Sequence, residues 1–182
     1  MTIVVVLTAL LGITAPKTVW GSEGLDGLFE ALLAADTPAE AAAIERQIWS
    51  AWFVYDGSAD TIEQDMENGS IALQTGMVGL AERLFTRVIE ADRTYAEGWN
   101  RRATVRYMMG DYLGSIADIA ETLVLEPRHF GALSGLGLCY LALGDPAQAL
   151  TAFEAVLTVH PQSVAAQQNV QALRAMVGEQ DI

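Results

Sequence analysis

Arg101, Arg102 and Arg106 form the one basic cluster in a chain that sets 10 cationic side chains against 23 acidic ones, for a net charge of −13. Arg102 and Arg106 stand one helical turn apart and so share a helix face. Two readings fit them. Planar guanidinium groups can grip a carboxylate or another anion with two parallel hydrogen bonds, or they can pair with Glu67, Glu97 or Asp118 inside the fold. The density of nearby acids favours pairing. His129 and His160 stand beside Arg128 and Pro161. Cys139 is the single cysteine, so the two histidines find no third ligand at metal-binding spacing. Flanked by Leu138 and Tyr140, Cys139 reads as a small buried hydrophobe, and it has no partner for an intrachain disulfide. Ser134 lies near His129 without a third group to orient the pair. The carboxylates are spread along polar stretches, and no glycine-rich phosphate loop follows a strand. The expectation is no catalytic residue, no metal and no cofactor.

What must position these residues is a repeat. Residues 96–129 and 130–163 are consecutive blocks of 34 that align without a gap. Trp99 pairs with Leu133, Ala103 with Gly137, Gly110-Asp111 with Gly144-Asp145, Ser115 with Ala149, Ile119 with Phe153 and Pro127 with Pro161. Within each block a glycine supplies a left-handed helix stop and the following aspartate caps the next helix. The late proline then ends that helix, because its ring cannot continue the backbone ladder. Each block is therefore helix–turn–helix. Residues 62–95 form a weaker copy in the same phase, with Gly69, Gly76, Ala81 and Phe85 in register, Asp65 in place of the aromatic and Arg93 in place of the proline. Units of this length stack so that each covers its neighbour's apolar face.

The aromatic at the fourth place, small residues at the eighth and twentieth, and proline near the end resemble the tetratricopeptide repeat family. Trp99, Ala103, Gly110, Asp111, Tyr112, Ser115, Ile119 and Pro127 carry the likeness, as do Gly137, Tyr140, Gly144, Asp145, Ala149, Phe153 and Pro161. The resemblance implies an all-α, right-handed solenoid of helical hairpins whose first helices line a concave, partner-binding groove. By position that groove holds Met66, Ser70 and Leu73, then Glu97, Asn100, Thr104, Tyr107 and Met108, then Gly131, Ser134, Leu138 and Leu141. Members that clamp chaperone tails present Lys, Arg and Asn there. This chain largely lacks them, which points to an apolar or amphipathic peptide.

The flanks complete the plan. Leu25, Leu28, Phe29, Leu32 and Leu33 mark one helix face, and Thr37-Pro38-Ala39-Glu40 opens a second helix running to Phe53. Residues 22–61 are thus expected as a divergent hairpin covering the open edge of the array. Residues 164–182 are expected as a capping helix and tail, with Ala166, Val170, Leu173 and Val177 inward and Gln167, Gln168, Gln171 and Arg174 outward. Residues 3–13 are apolar and uncharged, too short to span a bilayer and suited to the core of an export signal, with Val19-Trp20-Gly21 offering a cleavage context. Residues 1–21 are read as that signal, which implies a periplasmic or secreted protein with no integral membrane span in the mature chain. The alternative is a cytoplasmic adaptor that keeps its apolar start. The charge argues against nucleic acid as partner. The function implied is a non-catalytic module that holds another protein or peptide. A self-associating structural protein is the competing reading, with Trp49, Trp52 and Phe53 as the contact residues of a homo-oligomer.

Overall fold

The computed structural model describes residues 22–57 and 59–178. The proposed export signal at 1–21 and the last four residues of the tail lie outside them. Among the described residues the secondary structure is helical throughout: α1 (Ser22–Ala34), α2 (Pro38–Phe53), α3 (Asp60–Gln74), α4 (Val78–Ala91), α5 (Ala96–Met108), α6 (Tyr112–Leu125), α7 (Phe130–Ala142), α8 (Pro146–Val159) and α9 (Val164–Gly178). The pairs α3–α4, α5–α6 and α7–α8 are antiparallel hairpins, and each packs on the next, with α9 closing the row against α8.

The helix boundaries follow from the residues that stop and start them. Gly110 and Gly144 take φ of 81° and 79°, a left-handed conformation that costs a residue without Cβ nothing. There the amides of Asp111 and Asp145 reach back to the carbonyls of Arg106 and Tyr140, the paired bonding of a glycine-terminated helix. The aspartate carboxylates then accept the amides of Gly114 and Gln148, each at 3.0 Å, capping α6 and α8. Gly76 makes the same turn in the weak repeat, where Met77 follows and offers no side-chain cap.

Close approach inside each hairpin depends on small side chains. At Gly69 and Gly137 an added Cβ would fall 2.6 and 2.7 Å from the rings of Phe85 and Phe153. Those rings therefore lie directly on the helix backbone opposite. Ala81, Ala103, Ser115 and Ala149 are buried at the same contacts, and the Ser115 hydroxyl donates to the Ala103 carbonyl at 2.8 Å, tying α6 to α5. Burying each phenylalanine contributes roughly 1.5–3 kcal/mol. Asp65, which replaces the repeat's aromatic, is held by Arg87 of α4 at 3.0 Å. At the far end Ala166, Val170 and Leu173 face inward, while Gln167, Gln168, Gln171 and Arg174 face solvent.

The amino-terminal hairpin departs from expectation. It does not cover α3, whose outer residues Gln64, Glu67, Asn68 and Ile71 are exposed. Instead α2 lies against α5 and α1 against α8, and Phe29, Leu32, Ile48 and Trp52 share one apolar core with Phe130, Val156 and Ala166. The physical reason is the match of surfaces. The outer face of α3 is polar, whereas the start of α7 and the end of α8 offer aromatic and branched side chains to a hairpin rich in them. Leu33, grouped with the apolar face of α1, is 52% exposed.

Candidate functional site

The first helices α3, α5 and α7 form one row, and the residues assigned to a groove divide along it. Met66 is a correction. It is 1% exposed and belongs to the core with Ile62, Phe85, Val88 and Val105, because the fifth place of the unit turns into the packing, as it does at the equivalent Asn100. Asn100 is also buried, its amide donating to Glu97 Oε2 at 2.9 Å. The hydroxyls of Ser70, Thr104 and Ser134 each donate to a carbonyl of their own helix, those of Met66, Asn100 and Phe130. Their hydrogens are thus committed within the chain.

The remaining surface is mainly apolar. Tyr107 is half-buried, its ring 5.5 Å from that of Tyr112. Met108 is 45% exposed. Leu138 and Leu141 are half-buried, packed on the core of Ala149, Phe153, Val170 and Leu173 with one side still open. Leu73 sits at the same level on α3, against the α3–α4 core.

The amino-terminal turns of α5 and α7 hold a different chemistry. Glu97 is fully buried, with Arg101 Nε on one oxygen and His129 Nε2 at 3.1 Å on the other. Nδ1 of His129 accepts the amide of Ala132 at 3.1 Å, capping α7. With Nδ1 so engaged, it is Nε2 that turns its hydrogen toward Glu97. Burial raises the Glu97 pKa, but Arg101 and His129 outweigh it and hold the carboxyl below its ordinary range.

Over this cluster lies α2. The Trp52 indole stacks on the His129 ring, with centroids 3.9 Å apart and planes 8° from parallel. Trp49 meets His129 and Phe130 edge-on at 5.6 and 5.4 Å, seated on Gly131, where a Cβ would collide with it. Arg101 lies over the Phe53 ring at 5.2 Å. Glu45 accepts from Trp49 Nε1 at 3.2 Å and meets His160 Nε2 at 3.3 Å. Glu97 and Gly131, assigned to an open groove, are therefore covered. Trp49, Trp52 and Phe53, offered as surfaces for a homo-oligomer, turn inward onto the chain's own repeats.

The arginines are engaged separately. Arg102 grips Asp118 with Nε and Nη2, both at 2.8 Å, and Arg106 Nη1 reaches the same carboxylate at 3.0 Å. Arg106 also meets Glu82 of α4. One buried aspartate of α6 thus collects two guanidinium groups of α5. Arg101 pairs with Glu97 instead, so the three do not converge on one point. Sequence reasoning missed the seam between α2 and the repeats. The aromatic spacing in α2 was visible, but its target lies about 80 residues away and outside the repeat period.

A tetratricopeptide repeat family model matches residues 100–164. A TPR repeat-containing protein of Rhizobium etli is 36% identical over 149 residues, covering 82% of this chain and 72% of that protein. The chain belongs to the tetratricopeptide repeat family. Its fold is similar to the first TPR of Spaghetti (RPAP3) bound to the HSP90 peptide SRMEEVD, with a TM-score of 0.64 at 18% identity, covering 66% of this chain and 96% of that one. It is also similar to the Yersinia enterocolitica type III secretion chaperone SycD in complex with a peptide of the translocator YopD, with a TM-score of 0.62 at 17% identity, covering 67% and 98%. Among the described residues no helix is long and apolar enough to cross a membrane.

Proposed function

We propose that this chain is a non-catalytic protein-interaction module of the periplasm or cell envelope, holding an apolar or amphipathic peptide along the open end of its first-helix row. The observation that carries the proposal is the set Tyr107, Met108, Leu138 and Leu141. These side chains remain partly or largely open to solvent at one level of the row, and the neighbouring hydroxyls are committed to their own helices. The nearby guanidinium groups are bound to the chain's own carboxylates. That leaves little to clamp a terminal carboxylate and favours apolar contact. The likeness to solved repeats that carry peptides supports the general mode, and the family supports a scaffold role. The apolar, uncharged residues 3–13 support export.

A pull-down from envelope extract with the full chain, repeated with Tyr107→Ala and Leu138→Ala, tests the groove. Proteins retained by wild type and lost by both variants support it. Identical recovery by all three counts against it. Fractionation with amino-terminal sequencing tests export, since a cytosolic chain beginning at Met1 would contradict it.

A further inference from the structure

The seam between the α1–α2 hairpin and the repeats is built unlike the rest of the molecule. Within the repeats, buried polar groups are satisfied: Ser115 by a carbonyl, Asp118 by two arginines. At the seam two are not. Trp52 Nε1 and His160 Nδ1 are buried and make no hydrogen bond, and such orphaned groups are costly and call for an explanation. One ion pair on the α1 side, between Arg128 and Asp26, is solvent-exposed and holds little. The hairpin also has a pivot. Tyr95 donates to the Phe53 carbonyl at 2.8 Å and Tyr55 to Asp92 at 3.0 Å, pinning the chain just after α2 to the α4–α5 turn. If α2 lifts, this anchor keeps it beside its seat.

From this we infer that the seat formed by His129, Phe130 and Gly131 on α7, with Arg101 on α5, is a second helix-binding site. The chain's own α2 is its exchangeable resting occupant. The trans ligand is an amphipathic helix of another protein with the α2 pattern: two aromatics three residues apart and a carboxylate four residues before the first. In α2 these are Trp49, Trp52 and Glu45. The aromatic pair fills the space over Gly131 and stacks on the imidazole, and the carboxylate meets His160. A partner helix whose second aromatic carries no ring N–H avoids the buried, unpaired donor that Trp52 brings to the seat, and so gains over α2 there. This site is separate from the surface at Tyr107 and Leu138, so the two stand or fall independently.

Hydrogen exchange on the wild-type full chain is the first test. Amides of α2 are expected to exchange at least tenfold faster than those of α7, reporting local opening, and equal protection would overturn the inference. The second test uses a labelled synthetic peptide of residues 38–53 with the wild-type chain and with the Trp49→Ala/Trp52→Ala variant, which vacates the seat in cis. The variant is expected to bind the peptide at least tenfold more tightly than wild type, and Gly131→Leu in that background to abolish binding. Equal binding by variant and wild type, or a concentration-dependent dimer of the wild type that exchanges hairpins, would overturn the assignment. Exchange on wild type decides the question should the variant fail to fold.

Discussion

Replacing Gly137 with alanine places a methyl carbon 2.7 Å from two ring carbons of Phe153. Carbon atoms rest at about 3.5–4.0 Å, so the structure must open by about 1 Å at this contact. The ring cannot swing aside, because Phe153 is buried among Ala149, Val170 and Leu173 at the junction of α7, α8 and α9. The backbone of α7 is helical on both sides of Gly137 and cannot yield locally. Overpacking of this kind costs about 1–3 kcal/mol, offset by about 1 kcal/mol because alanine favours a helix over glycine. The net expectation is a loss of up to about 2 kcal/mol in urea unfolding of the full chain. Gly135 is the control, two residues earlier in the same helix. Its Cβ would stand 3.4 Å from the flexible end of Ile119, so Gly135→Ala is expected to stabilise by about 0.5–1 kcal/mol. In a Phe153→Leu background the penalty of Gly137→Ala should shrink by about 1 kcal/mol, since the two sites share one contact. If Gly137→Ala stabilises the chain as Gly135→Ala does, the close-approach argument for the repeats is refuted.

Asp118→Asn should destabilise the chain by about 2–3 kcal/mol, because Arg102 and Arg106 lose the charge that compensates their burial; thermal unfolding checks this, and a change within 0.5 kcal/mol would contradict it. Glu97 titrates below the ordinary glutamate value of 4.5. Its contribution to stability is therefore complete above that pH and is lost as pH falls through the lowered folded value. Wild type should lose stability below about pH 4.5 with a slope that Glu97→Gln reduces, as urea titrations at several pH values would show. Cys139 is buried and its thiol pKa is pushed up by burial, so a thiol reagent at neutral pH should label it only at the rate of unfolding. Rapid labelling of the native chain would contradict its burial.

The repeats were legible because their signals are local and periodic. Gly110, Asp111, Gly144 and Asp145 announce their turns with backbone chemistry that needs no distant partner, and Pro127 and Pro161 mark helix ends directly. Ala103 and Gly137 declared close approach through their size. Thr37 and Glu40 gave the start of α2 just as well, the Thr37 hydroxyl accepting the Glu40 amide at 3.2 Å. What α2 packs against could not be read. The same spacing of Ile48, Trp49 and Trp52 would serve a hairpin stacked on α3, and only the polar outer face of α3 against the aromatic start of α7 decides between the two. In the sequence His129 is only a histidine beside Arg128 with no metal-ligand company, yet it caps α7, meets Glu97 and carries Trp52. A histidine at a helix start is too common to announce such a role. The fate of the arginines was partly visible, since Glu97 and Asp118 both stand among the acids within reach of that cluster. The division of labour between them needed coordinates.

The placement of α2 over the repeats decides which part of the first-helix row a partner can reach. The chain has two histidines, so its imidazole proton spectrum is simple enough to test that placement directly. With the Trp52 ring stacked 3.9 Å from it, His129 should resonate well upfield of an exposed histidine and return toward the ordinary position in Trp52→Leu. A His129 signal at the ordinary position in wild type, unmoved by that substitution, would contradict the account.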